Sequence, residues 1–215
     1  MPAWTVATIA APSLVRGRAA LAAGRWEEAV HDLTEALGRA SSAPDQADAA
    51  VGLSDALWWL GQVDEALAAR EHAYAAWRRL GDDIAAAHAA VWLAREYAEA
   101  IGNQVASAGW LARTETLVAG PSGSNAVGWV ALTRAALAPD PAVQEPAARE
   151  AVAYARAGRD GDLEVLALAR LGLATVSVGR IDDGLQCFDE AMAAATGGGG
   201  PAHARAAVLR PRPGH

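Results

Sequence analysis

Apolar residues recur at three- and four-residue steps along most of the chain, a spacing typical of α-helices that bury one face. The clearest stripe is formed by Ala50, Leu53, Leu57 and Leu60. Gly61 follows it and predicts the end of that helix, because glycine adopts the left-handed conformation in which many helices terminate. The same pattern predicts ten helices, at about 12–23, 26–40, 46–60, 63–80, 83–101, 104–119, 124–138, 143–158, 162–178 and 181–195.

A short pattern recurs along the chain: glycine, a bulky residue two positions later, and a small residue three positions beyond that. Copies begin at Gly24, Gly61, Gly102 and Gly179, at intervals of 37, 41 and 77 residues. The last interval is about twice the others, and two prolines at 139 and 141, which interrupt a helix, lie where an intervening turn would fall. The sequence therefore predicts a repeat of about 38 residues that occurs about five times.

Each repeat contains two predicted helices with short connections, so successive helices should pack antiparallel. Such pairs bury their apolar faces only by stacking on neighbouring pairs, which predicts a superhelix. The acidic pairs Glu27-Glu28, Asp64-Glu65 and Asp182-Asp183 each fall in the first turn of a second helix. There they complement the positive end of the helix dipole, so we interpret them as structural carboxylates.

These boundaries divide the chain into an N-terminal tail at 1–11, a helical repeat domain at 12–196 and a C-terminal tail at 197–215. The Gly- and Ser-rich run at 120–124 predicts a break before the fourth helix pair. The C-terminal tail opens with four glycines and carries Arg210-Pro211-Arg212-Pro213, a composition that predicts disorder.

The repeat resembles the tetratricopeptide repeat (TPR). That family places glycine at the turn, an aromatic residue two positions later and alanine three beyond it; Gly24, Trp26 and Ala29 match this pattern. Further matches are Gly61 and Ala66, Leu171-Gly172 and Gly179, and Phe188 and Ala191, whereas Gly184 replaces the expected alanine. The resemblance implies an all-α fold, a right-handed superhelix of about five antiparallel helix pairs (a TPR-like solenoid).

A narrower resemblance covers roughly residues 12–196. The segments at 109–113 (Gly-Trp-Leu-Ala-Arg) and 128–132 (Gly-Trp-Val-Ala-Leu), with Gly184-Leu185 and the segment at 189–192, look like the repeat region of some bacterial LuxR-type transcriptional regulators. In those regulators the repeats receive a signal or a partner, and a separate C-terminal helix-turn-helix binds DNA. After Thr196 no second basic helical unit follows, so the resemblance implies a sensor-like or scaffold-like module without the DNA-binding domain.

The net charge and composition of the chain limit the classes of partner that it is expected to bind. The formal net charge is −7 and every one of the 18 basic residues is arginine, which argues against a nucleic-acid surface because phosphate binding needs clustered positive charge. No stretch of about 18 apolar residues is uninterrupted, which argues against a membrane-spanning helix. The single cysteine, Cys187, cannot form an internal disulfide and fits a reducing cytoplasm.

The resemblance to TPR proteins implies that the first helix of each pair lines a concave face. Our candidate ligand-binding residues are the aromatic and charged side chains predicted to face that side: Asp55, Trp58, Trp59, His88, Trp92, Glu96, Glu99, Arg134 and Arg170. The core side of the fifth helix is predicted to be Ile84, Val91, Ala94, Ala98 and Ile101, and the other tryptophans at 26, 77, 110 and 129 are predicted to pack between helices.

Tryptophan and arginine are frequent energetic anchors in binding sites. We therefore expect a non-enzymatic scaffold or sensor module that binds a partner protein, a peptide or a small effector on its concave face. Exposed apolar ends of a repeat array can pair, so a homodimer is a further expectation.

No motif identifies a cofactor, a metal site or a catalytic group. His31, His72 and His88 share no ligand spacing with one another, and Asp160-Gly161-Asp162 is interpreted as a linker with an N-cap aspartate rather than a calcium loop. The alternative is an enzyme without a motif. A pocket lined by tryptophan would position a hydrophobic substrate, with Asp55, Glu96 or Glu99 as acid or base.

Overall fold

The computed structural model describes residues 12–40, 42–119 and 124–197. These residues form ten α-helices and no strand: α1 (Pro12–Ala22), α2 (Trp26–Arg39), α3 (Ala43–Trp59), α4 (Val63–Leu80), α5 (Asp83–Glu99), α6 (Gln104–Val118), α7 (Ser124–Leu137), α8 (Pro141–Gly158), α9 (Gly161–Ser177) and α10 (Ile181–Gly197). The predicted N-terminal tail, the C-terminal tail after Gly197 and the break at 120–123 lie outside the described residues. None of the described helices combines the length and hydropathy needed to cross a membrane.

The predicted helix ends are correct to within two residues except at the start of α3. This helix begins at Ala43 because the Ser42 hydroxyl accepts a hydrogen bond from the Asp45 amide (3.2 Å) and proline occupies the first turn. At α8, Asp140 in the same way accepts a hydrogen bond from the Ala142 amide (2.8 Å). Asp160 caps α9 by accepting from the Leu163 amide (3.0 Å), so its predicted role as an N-cap is confirmed.

Several helices are followed by a residue in the left-handed conformation, and several begin with acidic residues in their first turn. Gly61 adopts the predicted left-handed conformation, with φ of 77°, whereas α8 ends on Arg159 with φ of 53°, which a side chain seldom adopts. The acidic pairs Glu27-Glu28, Asp64-Glu65 and Asp182-Asp183 lie in the first turns of α2, α4 and α10, as predicted.

The chain divides into two units, Met1–Ala76 and Trp77–His215, and the division falls inside α4. In the first unit, α2 packs against both α1 and α3. The fully buried Leu33 of α2 fills the space left by Gly17 of α1 and Gly52 of α3. Arg70 of α4 is buried and reaches α3, where its guanidinium donates to the Ser54 hydroxyl (3.1 Å) and to the Asp55 carboxylate.

In the second unit, α7 lies between α5 and α9. Each of these three helices also packs against the helix that follows it, α5 against α6, α7 against α8 and α9 against α10. One hydrophobic core joins α7, α8, α9 and α10; among its members are Leu132, Val152, Leu163, Leu168 and Leu171. The backbones of α9 and α10 approach closely at two glycines. A Cβ added to Gly184 would overlap Val176 Cγ2 and lie 2.9 Å from the Gly172 carbonyl oxygen, which explains why this repeat departs from the alanine of the family pattern.

The predicted core side of α5 is partly wrong. Ile84 and Ile101 are each 43% exposed, whereas Glu96 is only 5% exposed. The buried residues of α5 are mostly alanines that cover more than half of its circumference, since small side chains allow neighbouring helices to approach from several directions. Ile84 lies in the first turn of α5 and Ile101 lies two residues beyond its end, where fewer neighbours cover them.

Candidate binding surface

The exposed side of α5 carries four chemically different side chains. His88, Trp92, Arg95 and Glu99 follow one another at steps of four, three and four residues, and each is half-buried or exposed. This spacing places them on one face of the helix. Glu96 is not part of this exposed face, because its side chain is buried (5% exposed). Arg95, which was not among the predicted site residues, takes its place.

Glu99 and Arg170 are brought together from different helices. The Arg170 Nη2 atom of α9 lies 3.7 Å from the Glu99 Oε1 atom of α5, and both side chains are partly exposed. This distance is longer than that of a hydrogen bond, so the ion pair is loose. Burial lowers the pKa of Arg170 and the charge of Arg95 adds to that effect, while Glu99 opposes it. Arg170 is therefore close to two charged groups of α5, the carboxylate of Glu99 and the guanidinium of Arg95.

A cleft of about 610 Å³ lies beside this ion pair. It is lined by Ala98 and Glu99 of α5, Gln104 of α6, Ala136 and Leu137 of α7, and Pro139 of the following loop. None of these lining residues is a tryptophan. Apolar and polar groups are mixed here, an arrangement suited to holding part of a larger ligand.

At the N-terminal end of this face of α5, His88 is held in place by contact with another helix of the protein. The His88 ring packs edge-on against Trp129 of α7, with ring centres 6.3 Å apart. The Trp129 indole N–H donates to the Asp160 carboxylate (3.0 Å), whose other oxygen caps α9. Burial lowers the pKa of His88, and the carboxylates of Asp160 and Asp82 oppose that shift.

Other predicted site residues have structural contacts. Arg134 of α7 donates through Nε (2.9 Å) and Nη2 (2.7 Å) to Glu115 of α6, so its guanidinium is engaged by α6. Arg70 engages Asp55, as described above. Trp59 stacks on Trp26 of α2 with ring centres 5.1 Å apart, and Trp58 meets Trp59 edge-on.

The sequence contained a signal for Arg95. It lies seven residues after His88, three after Trp92 and four before Glu99, so it shares their face on a helix. The signal was missed because Glu96 also lies four residues after Trp92, and spacing alone does not decide which of two adjacent charged residues is exposed.

A second group of polar residues, on α2, has the spacing of a cation site. Ligand atoms of His31, Asp32 and Glu35 all lie within 4.8 Å of one another. However, Arg16 of α1 donates to both carboxylates, to Asp32 at 2.8 Å and to Glu35 at 3.1 Å. Arg39 also pairs with Glu35, so two arginines already balance the charge of these two carboxylates.

Comparison with known proteins agrees with this architecture. Residues 20–73 match the family model of the tetratricopeptide repeat. The described fold, with its repeated helix pairs, is that of an all-α, TPR-like solenoid protein. A crystal structure of BtubC (BKLC) from P. vanneervenii is similar, with a TM-score of 0.64 and 17% identity over 94% of this chain and 83% of that one. A putative kinesin light chain from Podosopora anserina, with nearly identical TPR-like repeats, has a TM-score of 0.56 and 18% identity over 85% of this chain and 92% of that one.

These similarities confirm the predicted fold class, and at such low identity they establish the fold alone. No curated protein has significant sequence similarity to the chain. TPR repeats generally mediate protein–protein interactions, so the coarse prediction of a binding scaffold agrees with the family match at 20–73.

Proposed function

We propose that this protein is a binding module that holds a segment of a partner protein on the exposed side of α5 and α9. The observation that carries the proposal is the loose Glu99–Arg170 ion pair beside the 610 Å³ cleft. A tight, hydrogen-bonded pair would satisfy both groups, whereas a pair at 3.7 Å leaves each able to accept a better partner.

The chemistry of the surface defines the kind of segment that fits. Arg95 and Arg170 outnumber the carboxylate of Glu99, so a carboxylate on the partner gains a favourable interaction there. Trp92 lies between His88 and Arg95 on the same face and offers a large, rigid ring for an apolar side chain. The partner segment is therefore expected to combine at least one acidic group with an apolar anchor.

Selection of peptides from a random display library on the immobilised protein tests this function. We expect the selected peptides to carry an acidic residue near an apolar one and to bind saturably. Arg170→Ala should abolish their enrichment, and Arg134→Ala is the matched control because the Arg134 guanidinium is already hydrogen-bonded to Glu115 and does not line the cleft. Peptides that bind wild type and Arg170→Ala equally well would contradict the proposal.

The narrower resemblance to LuxR-type regulators supports a sensor role in the cytoplasm as a more specific form of the same function. Native mass spectrometry of the protein purified gently from its host separates the two sources of ligand. A co-purifying protein chain supports the partner-segment proposal. A co-purifying small molecule bound at Arg170 would instead assign the surface to an effector.

A further inference from the structure

Helix α10 leaves an apolar stripe on the surface. Ile181, Leu185 and Met192 are 51%, 53% and 48% exposed, and their spacing of four and seven residues places them on one side of the helix. Gly184 and Ala191, which are buried, lie on the side that packs against the rest of the unit. The stripe therefore lies on the surface beside the buried side of α10, about 100° around the helix from it.

The charges on α10 are all negative. Asp182, Asp183, Asp189 and Glu190 are exposed, and the helix contains no basic residue. Two of these acids already have partners, since Asp183 pairs with Arg180 and Glu190 pairs with Arg156. Asp182 and Asp189 make no ion pair with any described residue. They lie three residues before and four residues after Leu185, so they border the apolar stripe.

The chain that follows α10 has the complementary composition. Residues 198–215 contain Arg205, Arg210 and Arg212 and no acidic residue. Between the first two arginines stand four apolar residues, Ala206-Ala207-Val208-Leu209. A segment with adjacent apolar and positive groups matches a stripe with adjacent apolar and negative groups.

The segment is also long enough to return along α10. Four residues, 198–201, reach at most about 14 Å when extended, whereas Met192 lies only about 8 Å along the axis from the end of the helix at Gly197. Three of these four residues are glycine, which allows the chain to reverse direction. Residues 205–210 can therefore lie beside Leu185 and Met192.

We propose that residues 202–212 of this chain bind the apolar stripe of α10, with Arg205 and Arg210 beside Asp189 and Asp182. A second copy of the protein is a poorer occupant, because pairing two α10 helices would bring their acidic residues together. This docking is independent of partner binding at Arg170, since the two surfaces share no residue.

Cross-linking of the full chain tests the proposal. In a Cys187→Ser background, cysteines introduced by Leu185→Cys and Ala206→Cys are treated with a short bismaleimide. We expect rapid cross-linking within one chain. The matched control replaces Leu185→Cys by Val143→Cys on α8, which is exposed to a similar extent (52%, against 53% for Leu185) but lies outside the stripe, and we expect slower cross-linking there.

Charge reversal separates specific docking from random collision. Arg205→Glu with Arg210→Glu should slow cross-linking by about fivefold, the effect of losing exposed ion pairs, and added Asp182→Arg with Asp189→Arg should restore the rate. Cross-links between chains would overturn the proposal in favour of a second copy. Equal rates for the Leu185 and Val143 pairs, or no effect of charge reversal, would also overturn it.

Discussion

Gly184 and Gly172 determine how closely α9 and α10 pack. We expect Gly184→Ala to lower the free energy of unfolding by about 1–3 kcal/mol, because the new methyl group overlaps Val176 and the Gly172 carbonyl oxygen in a packed core. Urea unfolding measures the change.

Gly38 of α2 provides the matched control for that substitution. It is exposed, and no side chain or distant backbone lies within 4 Å of a Cβ added there. Gly38→Ala should therefore raise the free energy of unfolding by about 1 kcal/mol through helix propensity alone. If Gly184→Ala stabilises the protein as Gly38→Ala does, the result would contradict the close approach of α9 and α10.

The environment of His88 gives the free energy of unfolding a defined pH dependence. Burial lowers the pKa of His88 in the folded protein below its ordinary value of 6.5. As the pH falls through 6.5, His88 gains a proton in the unfolded chain more readily than in the folded protein. The free energy of unfolding therefore decreases as the pH is lowered below 6.5.

Comparison of wild type with His88→Gln between pH 8 and pH 5 isolates this contribution, because His31 and His72 are present in both proteins. We expect the stability of wild type, relative to the variant, to fall as the pH is lowered. Parallel curves would show that the fold does not disfavour the charged form of His88 beside Trp129.

At the scale of elements, Arg70 attaches α4 to α3 within the first unit. It is buried and donates to Ser54 and Asp55, so its removal leaves polar groups of α3 without a partner. We expect Arg70→Ala to cost about 2–3 kcal/mol of unfolding free energy. Arg25→Ala, which removes an exposed ion pair with Glu28, should cost less than about 1 kcal/mol. Similar costs for the two variants would contradict this role of Arg70.

The helices themselves were predictable from the sequence because their signals are local. Periodic apolar residues, Gly61 and the acidic first turns determine where helices begin and end without reference to distant parts of the chain. The start of α3 was predicted three residues late because Ser42 was not recognised as an N-cap.

The site was less predictable because its residues depend on neighbours from other helices. A shift of one residue turns a side chain by about 100° around the helix, so the sequence did not distinguish the buried Glu96 from the half-buried Arg95. In the same way, nothing adjacent to Arg134 in sequence indicates that Glu115 of α6 engages it. Glu99 and Arg170 were each predicted as site residues, but their approach was not predicted, because it depends on how α5, α7 and α9 pack together.

At the scale of the whole molecule, the proposed surface belongs entirely to one of the two units. His88, Trp92, Arg95, Glu99 and Arg170 all lie in Trp77–His215, whereas Asp55, Trp58 and Trp59 lie in Met1–Ala76. The proposed site on α5 and α9 is thus formed by residues of the second unit alone. Substitutions of Trp58 are expected to leave peptide binding at Arg170 unchanged, and titration with a selected peptide checks this.

The central claim is that the side of α5 bearing Trp92 and Glu99, with Arg170 of α9, is a binding surface rather than part of the structural core. The most direct measurement compares peptide affinity with melting temperature for Trp92→Ala and Arg170→Ala. We predict that each variant loses about 2 kcal/mol of binding free energy, roughly thirtyfold in Kd, while its melting temperature stays close to that of wild type. Unchanged affinity, or a loss of affinity that parallels a loss of melting temperature, would contradict the claim.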